Sequence, residues 1–464
     1  MYSLKIDSFR GYENQEFEFS KYNILIGENS GGKTSLIKLI KLLNQSIHNM
    51  YSKDDQLQLN GQLVDVGLFS DFVKNHDETN KIKVTYTTSP VEYSKLALKF
   101  FISPQLTKRM KEAEYERLIE SYVAKTKSFL HTPVSVTYTF EKKSLHDVTK
   151  WVIEFKNEAI GNLKLTIPKL TLNTLSGNKA KLNFTGKDGE KYSLNVQSSL
   201  EGFMVLVESS SLKNAIGHLD KCPKLFFEKI VFLLLSQNDF AQKLDSFSYL
   251  NPIHYQPERH FLKRDASKHN SVTDYQAAIT GLRILMDNPK AKKEFDNAIA
   301  YMGLADQVSI GDAETSPVVS LNAKIGGVES NIVDVGYGVS LQVPMLMHLI
   351  YMKYRNPNAS IVFEQPEIHL HPAWQAKFME ALAIYGGKNN SYYIETHSEH
   401  MLRKLQVLVK KKIVSKEEVA IYYFKNKNGT FSVSRHEIED SGFIKPSFPK
   451  EFYDTDLELA LELM

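Results

Sequence analysis

The stretch that most narrows what this chain can be is Gly27-Glu28-Asn29-Ser30-Gly31-Gly32-Lys33-Thr34, followed by Ser35. It satisfies G-x-x-x-x-G-K-[ST] at every position. Its flanks fit as well. Tyr22-Asn23-Ile24-Leu25-Ile26 is a buried-type run, and Leu36, Ile37, Ile40 and Leu43 recur at helical spacing. The chemistry explains the spacing. Glycines let successive backbone N–H groups curve around phosphates. The N-terminus of the following helix adds partial positive charge. Lys33 is placed to reach the β- and γ-phosphates of a nucleotide such as ATP, and the Thr34 hydroxyl to hold Mg²⁺.

Such a loop requires a carboxylate at the end of a second buried strand, to hold Mg²⁺. Ile361-Val362-Phe363-Glu364 is a strand of that kind, which makes Glu364 the metal-side acid beside Thr34. The text continues Gln365-Pro366-Glu367-Ile368-His369-Leu370-His371-Pro372. Further on, Tyr392-Tyr393-Ile394-Glu395-Thr396-His397-Ser398 reads as another strand running into a histidine. Upstream lies Asp334-Val335-Gly336-Tyr337-Gly338-Val339-Ser340-Leu341-Gln342, ahead of an apolar helix.

The 464 residues allow about two to four domains. An α/β pattern opens the chain, and another resumes near residue 346. Between them lies a strand-rich stretch with one helix, near 105–129. The expected organisation is an N-terminal head part (1–80), a β-rich and helical insert (81–250), a helical lobe carrying GYGVSLQ (251–345) and a C-terminal head part (346–464). The fold class is therefore α/β, with a sheet split between the two ends of the chain. The single cysteine, Cys222, allows no internal disulfide. The opening MYSLKIDSFRG does not read as a signal peptide, and no apolar run approaches the ~20 residues of a membrane helix. A cytoplasmic location without membrane contact is expected. A net charge of +3 does not by itself announce a nucleic-acid binder.

The four blocks GENSGGKTS, GYGVSLQ, IVFEQPE and THS, in this order, resemble the ABC-type ATPases of the SMC, RecF and OLD-nuclease group. The resemblance covers residues 1–75 and about 250–464. It implies a P-loop head binding ATP and Mg²⁺, with GYGVSLQ as signature motif and His397 as sensor of the γ-phosphate. It also implies a dimer in which Gly338, Ser340 and Gln342 act on the partner's nucleotide. NGQLVDVGLFSDFV (60–73) and SGFIKPSFPKEFYD (441–454) are similar to stretches of such ATPases in bacterial defence operons. The implied role is an anti-phage ATPase like the PtuA of Septu or the AriA of PARIS systems. It would hold a separately encoded nuclease effector, with DNA or a phage protein as trigger. The alternative is a RecF-like ATPase that binds DNA in repair.

One position departs from that group. Its second Walker B acid is replaced by Gln365, which orients water but cannot take its proton. Glu367 is the nearest stand-in, so hydrolysis is expected to be slow. No acidic nuclease cluster follows THS, and no nuclease activity is expected in this chain. His369, His371, His397 and His400 also invite a metal reading, but the resemblance assigns HLHP and THS to the nucleotide site. Arg259 either touches a phosphate or pairs with a surface acid. Lys108, Arg109, Lys111 and Arg117 alternate with acids and read as a solvated helix face.

Overall fold

The computed structural model describes residues 2–47, 57–88, 132–142, 151–158, 160–167, 178–186, 188–201, 204–207, 215, 224–250, 259–262, 288–312 and 318–448. The expected helix near 105–129, with its alternating charges, lies outside these residues, as do Cys222 and the end of the 441–454 stretch. The chain divides into two compact units.

The first unit comprises Met1–Phe19, Ser35–Asp245 and Asn428–Thr430. Its sheet has nine strands. In chain order they are β1 (Tyr2–Asp7), β2 (Gln15–Phe19), β4 (Ile82–Thr88), β5 (Val134–Phe140), β6 (Trp151–Asn157), β7 (Gly161–Ile167), β8 (Asn178–Gly186), β9 (Lys191–Glu201) and β10 (Met204–Val207). The spatial order is β10-β9-β8-β7-β6-β5-β4-β1-β2, and every neighbour pair is antiparallel. The strand-rich insert thus continues directly from the N-terminal hairpin. β4 and β5 alternate buried and outward residues along their length, the period-2 pattern of a sheet with one dry face. Phe240 of the helix Lys224–Asp245 stacks on Tyr86 (4.6 Å between centroids) and Tyr138 (5.6 Å).

The second unit comprises Ser20–Thr34, Ser246–Lys427 and Phe431–Met464. Its seven-stranded sheet gathers β3 (Tyr22–Gly27), β11 (Phe247–Leu250), β16 (Ser360–Glu364), β17 (Ser391–Glu395), β18 (Val419–Lys427), β19 (Thr430–Ile438) and β20 (Ile444–Lys445). The order is β11-β16-β17-β3-β18-β19-β20, with the first five strands parallel. This is the sheet expected to be assembled from both ends of the chain. β3, β16 and β17 are almost wholly buried, which is why they read as continuous apolar runs rather than alternating ones. A smaller sheet joins β12 (Phe261–Leu262), β13 (Gln307–Asp312), β14 (Val318–Ile325) and β15 (Val328–Asn331).

Among the described residues seven α-helices accompany these sheets. They are α1 (Lys33–Ile47), α2 (Phe69–Phe72), α3 (the Lys224–Asp245 helix), α4 (Pro289–Met302), α5 (Tyr337–Arg355), α6 (Pro372–Tyr385) and α7 (Glu399–Lys410). α5 is buried along most of its length and α7 shows one dry stripe, so α5 forms core and α7 covers it. Together with β3, β16, β17 and β18 they enclose the core of the second unit. Tyr22 and Phe19, at the start of β3 and the end of β2, are both buried core aromatics. Among the described residues no helix is long and apolar enough to cross a membrane.

Candidate functional site

β3 ends in Gly27, and the chain turns through Glu28–Gly32 into α1. Gly27 has φ +137°, and a Cβ there would run into the backbone of Phe424 on β18. Gly32 has φ +113°, and its Cβ would lie 2.7 Å from the ring of Phe431 on β19. Both positions demand glycine for conformation and for space. The Gly31 N–H donates to Glu28 O at 3.1 Å. Asn426 on β18 braces the loop from outside. Its backbone N–H donates to Glu28 Oε2 at 3.2 Å, and its Nδ2 donates to Ser30 O at 3.1 Å.

Lys33 is 4% exposed, and its Nζ donates to the loop's own carbonyls, Gly27 O (3.0 Å) and Glu28 O (2.7 Å). Burial lowers its pKa, and the charges of Glu395, Glu28 and Glu367 partly offset that. The Thr34 hydroxyl donates to Glu395 Oε1 at 2.7 Å. Ser35, the last residue of the motif, belongs to the first unit, where its hydroxyl accepts from Arg10 Nη1 at 3.2 Å.

The acids gather at the ends of two adjacent parallel strands. Glu364 closes β16 and Glu395 closes β17, directly paired in register. Glu364 is buried. Gln365, at φ +50°, donates its N–H to Glu395 O at 2.7 Å. Glu367 accepts the backbone N–H of His397 at 2.7 Å, while its Oε2 is buried without a hydrogen-bond partner. Burial raises the pKa of Glu395; the Thr34 hydrogen bond and Lys33 oppose this, and Glu364 and Glu367 reinforce it. Burial also raises that of Glu367 against its hydrogen bonds and Lys33. His397 is exposed as a residue, yet partial burial of its ring and then the charge of Lys33 lower its imidazole pKa. The site thus gathers the cation of Lys33 and the carboxylates of Glu28, Glu364, Glu367 and Glu395. Oxygen donors from Thr34 and Glu364 suit a hard cation such as Mg²⁺.

The GYGVSLQ block packs against the loop that follows β16 in its own chain. Gly336 precedes α5, whose first turn is exposed at Tyr337 (47%). The Tyr337 ring meets His369 edge-on at 4.8 Å. A Cβ on Gly338 would lie 3.0 Å from His369 O. Ser340 is 1% exposed and donates its hydroxyl to Tyr337 O at 2.9 Å. Gln342 is buried and donates Nε2 to Pro366 O at 2.9 Å. The side chains of Ser340 and Gln342 therefore face inward, and only the Gly336–Tyr337 turn faces out.

His371 caps α6, its Nδ1 accepting from Ala373 N at 3.3 Å. Among the described residues no group of His, Cys, Asp and Glu has the geometry of a metal cage. Of the two readings of Arg259, the structure shows the ion pair: it bonds Asp334 at two points. The sequence motifs place Glu395 only within a strand. The signal was present, since an acid closing a buried strand is the same feature that singled out Glu364. Asn426 and Phe431 carry no motif and could not have been found.

The family described as "AAA ATPase domain" (AAA_15) matches residues 1–402. The RecF DNA replication and repair proteins of Bacillus pumilus and Bacillus subtilis are 41% and 38% identical over 56 residues, 12% of this chain. The chain spans only 15% of the length of these relatives. Among solved structures it is similar to an SMC head bound to the C-terminal winged helix of ScpA, at 10% identity with a TM-score of 0.43 over 95% of this chain and 98% of that one. The SMC head domain of Thermotoga maritima gives 9% identity and 0.37 over 93% and 97%. That of Pyrococcus furiosus, bound to the C-terminal domain of ScpA, gives 8% and 0.40 over the full length of both chains.

Proposed function

Because the chain belongs to the AAA ATPase domain family, matched over residues 1–402, we propose that it is an ATP-gated scaffold that hydrolyses its nucleotide slowly. In this reading it serves an anti-phage defence complex and holds a separately encoded nuclease effector. The observation that carries the nucleotide reading is the glycine-bounded loop that buries Lys33 against its own carbonyls.

Lys33 exchanges those two carbonyls for phosphate oxygens, which are stronger partners for a buried ammonium. Thr34 and Glu364 are the residues that would hold Mg²⁺, which would supply charge neutralisation at the phosphates. Gln365 orients the attacking water. Glu367, half-buried with its Oε2 enclosed and unpartnered, is the group able to accept its proton. His397, joined to Glu367 through its backbone N–H, reports the γ-phosphate to α7 behind it. Two heads close on the nucleotide, and the exposed Gly336–Tyr337 turn makes the contact in trans. Gly338, Ser340 and Gln342 set the position of that turn from behind.

The test is purification from the native operon with ATP present, followed by mass determination of what accompanies the chain. A nuclease in fixed ratio to a dimer or larger assembly supports the scaffold. DNA in its place, lost steeply as salt rises, overturns it in favour of a RecF-like repair ATPase. A wild-type chain that binds no ATP overturns both.

A further inference from the structure

The P-loop strand β3 and the Glu364 strand β16 are not neighbours; β17 lies between them. The carboxylate that meets the P-loop hydroxyl is accordingly Glu395, from the intervening strand, and not the acid that the motif names. Glu395 is 3% exposed, and its Oε1 accepts from Thr34 Oγ1 at 2.7 Å. It stands in register with Glu364 across a parallel pair. Its backbone carbonyl accepts from Gln365 N, so one residue ties Thr34 on one side to the Walker B turn on the other.

We propose that Glu395 is the positioning residue of the Mg²⁺ site: it fixes the Thr34 hydroxyl with its proton turned away and its lone pairs free for the cation. The inference rests on the ATP-binding reading above. A hydroxyl has one proton and two lone pairs. Donating to Glu395 leaves the oxygen a pure acceptor on its other side, which is what a hard cation takes. If Thr34 instead donated its proton into the nucleotide pocket, the proton would point at the metal. The group that orients a metal ligand commonly matters nearly as much as the ligand.

The test separates metal from nucleotide. Affinity for a fluorescent ATP analogue is measured without divalent ion, and Mn²⁺ is then titrated into the nucleotide complex and followed by its EPR signal. Wild type, Glu395→Gln, Glu395→Met, Thr34→Val and the Thr34→Val/Glu395→Met pair are compared. Metal-free nucleotide affinity, carried by Lys33 and the loop N–H groups, stays at the wild-type value in the Glu395 variants and reports that they are folded. Mn²⁺ affinity falls at least about tenfold in Glu395→Met. It falls less in Glu395→Gln, whose amide oxygen still accepts the proton. The double variant loses no more than Thr34→Val alone, because Glu395 acts through Thr34. Wild-type Mn²⁺ affinity in Glu395→Met, or losses that simply add in the double variant, overturn the proposal. A wild-type chain that binds no nucleotide overturns the parent reading instead.

Discussion

Arg259 and Asp334 meet at two points, Nη1 to Oδ2 at 2.8 Å and Nη2 to Oδ1 at 2.6 Å. The geometry is the matched fork of guanidinium on carboxylate. Asp334 closes the short turn Ile332–Asp334 that leads into Gly336 and α5, and Asn331 in the same turn donates to Arg259 O at 3.1 Å. The pair therefore anchors the approach to GYGVSLQ and α5. Both side chains are about half exposed, so it contributes little to global stability. Its expected effect is local. Arg259→Ala and Asp334→Ala each lower ATP turnover a few-fold without changing ATP affinity. The Arg259→Asp/Asp334→Arg exchange restores turnover. A steady-state double-mutant cycle checks this, and additive losses would show that the two residues act independently.

In the proposed mechanism Gln365 and Glu367 divide the work of a catalytic acid between them. Gln365→Glu puts a proton acceptor at the position where the resembled group carries one, and single-turnover hydrolysis is expected to rise at least about tenfold at unchanged ATP affinity. Glu367→Gln is expected to lower it by a similar factor, since it leaves no base within the turn. A Gln365→Glu variant as slow as wild type would place the limiting step outside proton transfer.

Gly27→Ala and Lys33→Ala test different properties of one loop. The alanine methyl at 27 collides with the Phe424 backbone, which no side-chain rotation relieves, and φ +137° strains any L-residue further. A loss of at least ~2 kcal/mol in stability is expected. Lys33→Ala removes a buried cation held by two carbonyls. Its melting temperature should stay near that of wild type while ATP no longer raises it. Thermal denaturation with and without ATP distinguishes the two outcomes.

What could be read from the sequence follows the range of the interactions. The P-loop, the β16 acid and THS were legible because each is a local pattern, a buried strand followed by a fixed turn. The parallel sheet was legible because β3, β16 and β17 are dry on both faces. Contacts made across strands were not. Glu395 meets Thr34 only because β17 inserts between β3 and β16, and strand order has no local signature. Ser340 and Gln342 looked like groups that reach outward. In the structure the first hydroxyl is taken by its own helix and the second amide by Pro366 O. A polar residue inside an apolar helix has two destinations, and spacing does not choose between them.

His348 is expected to make the second unit less stable in acid. It lies inside α5, fully buried, with Nε2 at 2.8 Å from the Ser248 hydroxyl and Nδ1 without a partner. Burial pushes its pKa down to about 3, from an ordinary value of 6.5. The folded state therefore keeps the ring neutral where the unfolded chain protonates it. Stability is complete above pH 6.5 and falls as pH drops from 6.5 toward 3, at most about 1.4 kcal/mol per pH unit from this group. Burial lowers His397 and His436 as well, and they add to the same slope. Glu367 and Glu395 oppose it, because their raised pKa values make the folded state bind protons more readily at acid pH. His348→Leu strands the Ser248 hydroxyl and so lowers stability at pH 7.5. It also removes one titration, so the decline between pH 6.5 and 5 becomes shallower. Urea unfolding at four or five pH values measures both effects. A parallel displacement of the two curves, with no change of slope, would show that His348 is not the group that titrates.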